Sequence, residues 1–128
     1  MQDNQNNKKI ILLVEDDPLL IKMYSTKFSL DGFELIVAQD GMEGLKKAQE
    51  NKIDFIVMDV MMPKLSGIDL FFKLKELNVN VPTLFLTNLS QPEEEKKVLE
   101  AGAKEYLLKA NLTPHEIVTK IKGYLGIS

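Results

Sequence analysis

Asp54-Phe55-Ile56-Val57-Met58-Asp59 is a run of strand length whose apolar interior ends on an acid, and Ile10-Ile11-Leu12-Leu13-Val14 likewise runs into Glu15-Asp16-Asp17. Two buried strands that deliver carboxylates to one sheet end build a dense negative cleft. At an effective dielectric of about 20, two carboxylates roughly 4 Å apart repel by about 4 kcal/mol. A hard cation relieves that repulsion, and magnesium, with manganese as the alternative, prefers oxygen ligands and keeps several waters. A cation beside an accessible carboxylate points to phosphoryl chemistry. Asp59 would then be the nucleophile toward a phosphoryl donor, giving an acyl phosphate. Thr87 and Lys109 follow two further apolar runs, where a hydroxyl would donate to a phosphoryl oxygen and an ammonium would stabilise it.

The elements that must position these groups alternate along the chain. Strand-length apolar runs at Ile10–Val14, Glu34–Ala38, Phe55–Met58, Val81–Leu86 and Glu105–Leu108 are separated by segments of helical period. Asp17 is placed to cap a first helix beginning at Pro18, where the missing N–H costs nothing. That helix carries Leu20, Met23, Tyr24 and Phe28 at helical spacing and ends at Asp31-Gly32. Asp40-Gly41 opens a second helix with Leu45 and Ala48 inward. The Pro63–Gly67 loop leads to a third with Ile68, Phe71, Phe72, Leu74 and Leu77. Gln91-Pro92 and a run of three glutamates open a fourth, acids first, as the helix dipole favours. Its apolar face (Val98, Leu99, Ala101) is thin, so it should be the least firmly held. Pro114 starts a fifth, with Ile117, Val118, Ile121, Tyr124 and Leu125. Five strands alternating with five helices predict an α/β fold: a doubly wound five-stranded parallel sheet with right-handed crossovers and helices on both faces, for which the expected strand order is the common flavodoxin-like 2-1-3-4-5. Sites in such sheets lie beyond the carboxyl ends of the strands at the switch point. Glu15, Asp16 and Asp59 flank that point.

Bulk properties exclude several functions. A 128-residue chain of net charge −3 gives no electrostatic reason to expect nucleic acid as a partner. All 16 basic residues are lysine, so no guanidinium clamp for phosphate exists. The absence of cysteine removes disulfides, thiol catalysis and cysteine-ligated zinc. No apolar run approaches the about eighteen residues that span a bilayer. Residues 1–9 are polar and rich in Asn and Gln, unlike a signal peptide. They read as a disordered tail before one domain at 10–128, in a cytoplasmic protein.

From Lys8 onward the chain resembles a response-regulator receiver domain of bacterial two-component signalling. The matching motifs are Glu15-Asp16, Asp59 with Met62-Pro63 and Gly67, Leu86-Thr87, and Ala101-Gly102-Ala103 with Tyr106-Leu107-Leu108-Lys109. Four such motifs, in order and each at a strand's end, are specific together. The resemblance implies that Asp59 accepts a phosphoryl group from a histidine kinase or phosphotransfer protein. It implies that Asp16, Asp59 and the Met61 carbonyl bind Mg2+ directly and Glu15 through water. Thr87 and Tyr106 become a switch pair that remodels the face of the fourth helix, fifth strand and fifth helix. A downstream protein partner would read that face. The chain would be a stand-alone receiver and no enzyme beyond its own phosphorylation and slow autodephosphorylation. Three departures stand out. Ala110 replaces the usual proline after Lys109, leaving that peptide trans, or cis under strain. Asn88 replaces a small residue beside Thr87. Met61 and Leu89 occupy positions that resemble the family's dephosphorylation tuners, and neither can activate water. A long-lived phosphoryl state is expected.

Other residues read more plainly. Asp17 and Asp40 are helix caps, and Asp54 and Asp69 are solvated. Of Phe71 and Phe72, neighbours on one helix, one is core and one partly exposed. Met58, Met61 and Met62 are packing, and His115 in a first helical turn is exposed. Three rivals remain. An aspartate-nucleophile phosphatase needs a second acid where Met61 stands. A flavin-binding domain of this fold needs a phosphate-holding first loop where Glu15-Asp16-Asp17 stands. A pseudo-receiver would bind partners without phosphorylation, an alternative that Asn88 and Ala110 keep open.

Overall fold

The computed structural model describes residues 8–127, and most of the expected tail at 1–9 lies outside them. Lys9 is tied to the sheet, its carbonyl accepting from Glu34 N at 3.0 Å. Elements follow in the order β1 (Ile10–Val14), α1 (Pro18–Leu30), β2 (Glu34–Ala38), α2 (Gly41–Glu50), β3 (Phe55–Asp59), α3 (Gly67–Glu76), β4 (Thr83–Thr87), α4 (Pro92–Glu100), β5 (Glu105–Leu108) and α5 (Pro114–Leu125). The strands form one parallel sheet in the order β2-β1-β3-β4-β5. This is the doubly wound α/β arrangement expected from the alternation.

Side chains alternate across the pleat, so each central strand feeds two cores. On one face Ile11, Leu13, Phe55, Val57, Leu84 and Leu86 meet Tyr24 and Phe28 of α1 and Ile117, Val118 and Ile121 of α5. On the other, Leu12, Val14, Ile56, Met58 and Phe85 meet Ala48 of α2, Leu70, Phe71 and Leu74 of α3, and Val98 of α4. Strands covered on both faces read as continuous apolar runs, which is why they were legible. No helix among the described residues is long and apolar enough to cross a membrane.

Several boundaries and faces differ from the sequence reading. β4 starts at Thr83, not Val81, because Pro82 has no N–H to donate to a ladder. Its carbonyl still accepts from Ile56 N at 2.9 Å. Asp59 closes β3 inside the strand. Met23 is 41% exposed, and Leu77 and Leu99 are exposed to a similar degree, while Leu70, absent from the expected face, is fully buried. Val98 is the one fully buried residue of α4, and Gln91 caps that helix without a side-chain hydrogen bond. Asp54 is not simply solvated: its Oδ2 accepts from Ile10 N at 2.8 Å and anchors the start of β1. Phe71 is core and Phe72 half-buried under the Lys97 ammonium, as the adjacent pair required. Asp69 and His115 are exposed.

Candidate functional site

Three strand ends converge at the switch point. Glu15 N donates to Ala38 O at 2.9 Å, prolonging the β1–β2 ladder by one residue. The Glu15 side chain is buried, at 1% exposure. Its Oε2 accepts from Asp17 N at 3.1 Å. Asp16, the next residue, points out and is exposed. Asp17 instead caps α1, its Oδ1 accepting from Leu19 N at 2.9 Å, as its position before Pro18 predicted.

Asp59 is 6% exposed at the end of β3. Its Oδ1 accepts from Met61 N at 3.2 Å and its Oδ2 from Lys109 Nζ at 3.0 Å. The same ammonium lies 2.9 Å from Glu15 Oε1, a charge contact outside hydrogen-bond alignment. Glu15, Asp16 and Asp59 each offer one oxygen, and these oxygens lie within 4.8 Å of one another. Three hard oxygen donors at that spacing, one on a solvent-facing residue, suit a hard divalent cation.

Electrostatics follow from burial. The Glu15 carboxyl is pushed above its ordinary range, chiefly by burial, with Lys109 and the Asp17 N–H opposing and Asp59 adding to the rise. Burial alone would lower the Lys109 ammonium, but its contacts with Glu15 and Asp59 outweigh that and raise it. The lysine therefore stays charged and serves as the site's own counter-ion.

Apart from Met61, whose N–H is bonded to Asp59, the remaining predicted residues make no hydrogen bond to the acid cluster. Thr87 is buried at the end of β4, and its hydroxyl donates to Leu89 O at 3.0 Å while accepting from Leu89 N at 3.3 Å. It is engaged with its own loop, not with Asp59. Tyr106 is 8% exposed on β5, tilted against Phe85, and its buried hydroxyl has no hydrogen-bond partner among the described residues. Burial raises the pKa of that phenol, with Glu94 adding to the effect and the neighbouring Thr87 hydroxyl, outside hydrogen-bond geometry, opposing it. Asn88 is exposed, and Met61 and Leu89 are open at 66% and 67%. Met58 is core and Met62 half-buried, so of the three methionines Met61 alone departs from packing. The Lys109–Ala110 peptide is trans, and Lys109–Asn111 form a single 3-10 turn.

Sequence reasoning missed one neighbour of the site. The loop after Asp59 rests on the start of α2, through Gly41 and Asp40. The Asp-Gly pair signalled a helix start, but nothing local signalled what would lie against it.

This fold and acid cluster define a receiver. The model of the response regulator receiver domain family matches residues 11–122, and the chain belongs to that family. It is 40% identical over 121 residues to the alkaline phosphatase synthesis transcriptional regulatory protein PhoP of Bacillus subtilis, covering 93% of this chain and 49% of that protein. The chain thus spans about half the length of that curated relative. Over 120 residues it is 31% identical to the polar-differentiation response regulator DivK of Brucella anthropi, covering 92% of this chain and 97% of DivK. The solved receiver domain of the Francisella response regulator 1452 superposes with a TM-score of 0.83 at 33% identity, over 90% of this chain and 94% of that one. The acidic cluster is consistent with the family's metal site. Receivers are not enzymes in the ordinary sense, and their place in two-component systems implies a kinase partner.

Proposed function

We propose that this domain accepts a phosphoryl group on Asp59 from a histidine kinase or phosphotransfer protein, and thereby changes its affinity for a protein partner in the cytoplasm. One observation carries the reading: Asp59 and Lys109 are in contact at a sheet end that also holds Glu15 and Asp16. A carboxylate oxygen of Asp59 attacks phosphorus, an O–P bond forms, and the P–N bond to the donor imidazole breaks with its electron pair leaving on nitrogen. Glu15, Asp16, Asp59 and the Met61 carbonyl would hold Mg2+, which when bound offsets the carboxylate charge and draws charge from the phosphoryl oxygens.

Lys109 already faces Asp59, so it needs little movement to follow the new charge. Thr87 must release Leu89 O to donate to a phosphoryl oxygen. A modification adding about two negative charges gives that hydroxyl a stronger acceptor only in the modified state, and differential binding of this kind is what shifts a two-state equilibrium. Tyr106, with its hydroxyl unpaired, lies on the strand beside Thr87. α4, held by one fully buried side chain, is the element freest to respond. We assign output to the face of α4, β5 and α5.

The test is intact mass after incubation with acetyl phosphate, with and without magnesium. Uptake of one phosphoryl group that requires magnesium and disappears in Asp59→Asn is expected. Uptake that survives in Asp59→Asn moves the acceptor elsewhere. No uptake by the wild-type chain favours a pseudo-receiver that binds partners unmodified.

A further inference from the structure

The segment that leaves Asp59 is pinned at two places. Behind it, Gly67 N donates to Val60 O at 2.9 Å, and a Cβ on Gly67 would overlap the Asp59 carbonyl oxygen. In front of it stands the beginning of α2, an element that contributes no acid to the cluster. The Pro63 carbonyl accepts two N–H groups. One is Leu65 N at 2.7 Å, which closes a three-residue turn centred on Lys64. The other is Gly41 N at 3.4 Å, from the first residue of α2. Lys64 carries φ 70, the rarer and strained sense of such a turn for a residue with a side chain. Its Nζ lies 3.5 Å from Asp40 Oδ2, while Asp40 Oδ1 caps α2 by accepting from Glu43 N at 2.8 Å. A Cβ on Gly41 would run into the Leu65 carbonyl oxygen and Cβ. Only glycine lets the loop sit this close.

We propose that Asp40 and Gly41 form a bracket that positions the Met61–Leu65 loop, and through it sets the affinity of the acid cluster for magnesium. Between the two pins lies Met61, whose N–H is bonded to Asp59 Oδ1 and whose carbonyl the reading above gives to the cation. Magnesium demands near-ideal octahedral geometry, so a ligand carbonyl on a loop is useful only if the loop is held. A strained turn does not hold itself. The contacts from α2 supply the restraint, making Asp40, Gly41 and Lys64 positioning residues outside the ligand set. The inference rests on the proposed metal-dependent function.

The test is calorimetric titration of the whole protein with magnesium chloride, beside thermal melts without metal. Lys64→Gly is the decisive variant, because glycine adopts positive φ freely while losing the contact with Asp40. Its metal-free melting temperature should be unchanged or raised, while its magnesium dissociation constant should rise about tenfold, the usual scale for groups that orient ligands. Gly41→Ala should weaken binding similarly, with some loss of stability. Wild-type binding together with unchanged affinity in both Lys64→Gly and Gly41→Ala overturns the bracket and leaves the proposed function standing. An affinity loss that merely tracks melting temperature across both variants also overturns it. Failure of the wild-type chain to bind magnesium overturns both readings.

Discussion

Lys109 Nζ lies 3.0 Å from Asp59 Oδ2 although β4 separates their strands in the sheet. The lysine leaves the end of β5, reaches past β4 to β3, and touches Glu15 of the β1 end as well. One ammonium thus faces three clustered carboxylates. The cluster keeps a negative excess that a divalent cation or a rearrangement of charge must answer.

Removing that ammonium should expose the imbalance. Lys109→Met leaves Glu15 and Asp59 buried side by side without a counter-charge. Urea unfolding of the metal-free variant at neutral pH should show a loss of about 3 kcal/mol, the scale for breaking a buried ion pair from one side. Added magnesium should restore part of that loss, since a ligand bound only by the folded state stabilises it. A variant as stable as wild type would show that the lysine is not the counter-ion.

Glu15 gives a pH signature of definite sign. Burial holds its folded-state carboxyl above the ordinary value of 4.5. Between 4.5 and the raised value the folded chain binds more protons than the unfolded chain. The stability this group contributes is complete below 4.5 and is lost as pH rises through the raised pKa. Glu15→Gln should therefore stabilise the metal-free protein at neutral pH, with the gain shrinking to nothing toward acid. Urea midpoints measured across that range check it, and a gain that instead grows toward acid contradicts the burial argument.

Tyr106 carries a buried hydroxyl with no hydrogen-bond partner among the described residues. An unmet donor in a dry environment costs roughly 1–3 kcal/mol, and deleting it removes that cost at the same shape. Tyr106→Phe should raise unmodified stability by about 1 kcal/mol, read from the urea midpoint. A loss on this substitution would reveal a partner for the hydroxyl.

Val98 is the peg of α4. Truncation to alanine removes its buried methyl groups from a helix that has no other fully buried residue. About 2 kcal/mol of destabilisation is expected. Hydrogen exchange of the α4 amides should accelerate well before that of β1 or β3, because the local opening free energy falls first. Uniform acceleration across the sheet would place α4 within the global folding unit.

How much of this was legible in the chain depends on the range of the interaction. The acids at the ends of β1 and β3 announced themselves because buried parallel strands are unbroken apolar runs, so a carboxylate at the end of one stands out. Caps at Asp17 and Asp40 were equally local, each fixed by the residue that follows. Met23 and Leu99 were misplaced because helical spacing defines a broad stripe, and only packing against the sheet decides which edge of it is covered. The start of β4 was local too: Pro82 has no N–H for a ladder, so the strand begins at Thr83.

By itself the sequence determined the order of strands and helices, the two-sided core and the clustering of Glu15, Asp16, Asp59 and Lys109 at one sheet end. Periodicity and chain connectivity suffice for those, since parallel crossovers bring every strand's carboxyl end to the same side. The tertiary structure alone decided that Thr87 bonds to Leu89, that the Tyr106 hydroxyl lies unpaired, and that α2 braces the loop after Asp59. These are side-chain directions and close approaches between segments far apart in sequence, and they are set by the packing of the whole fold.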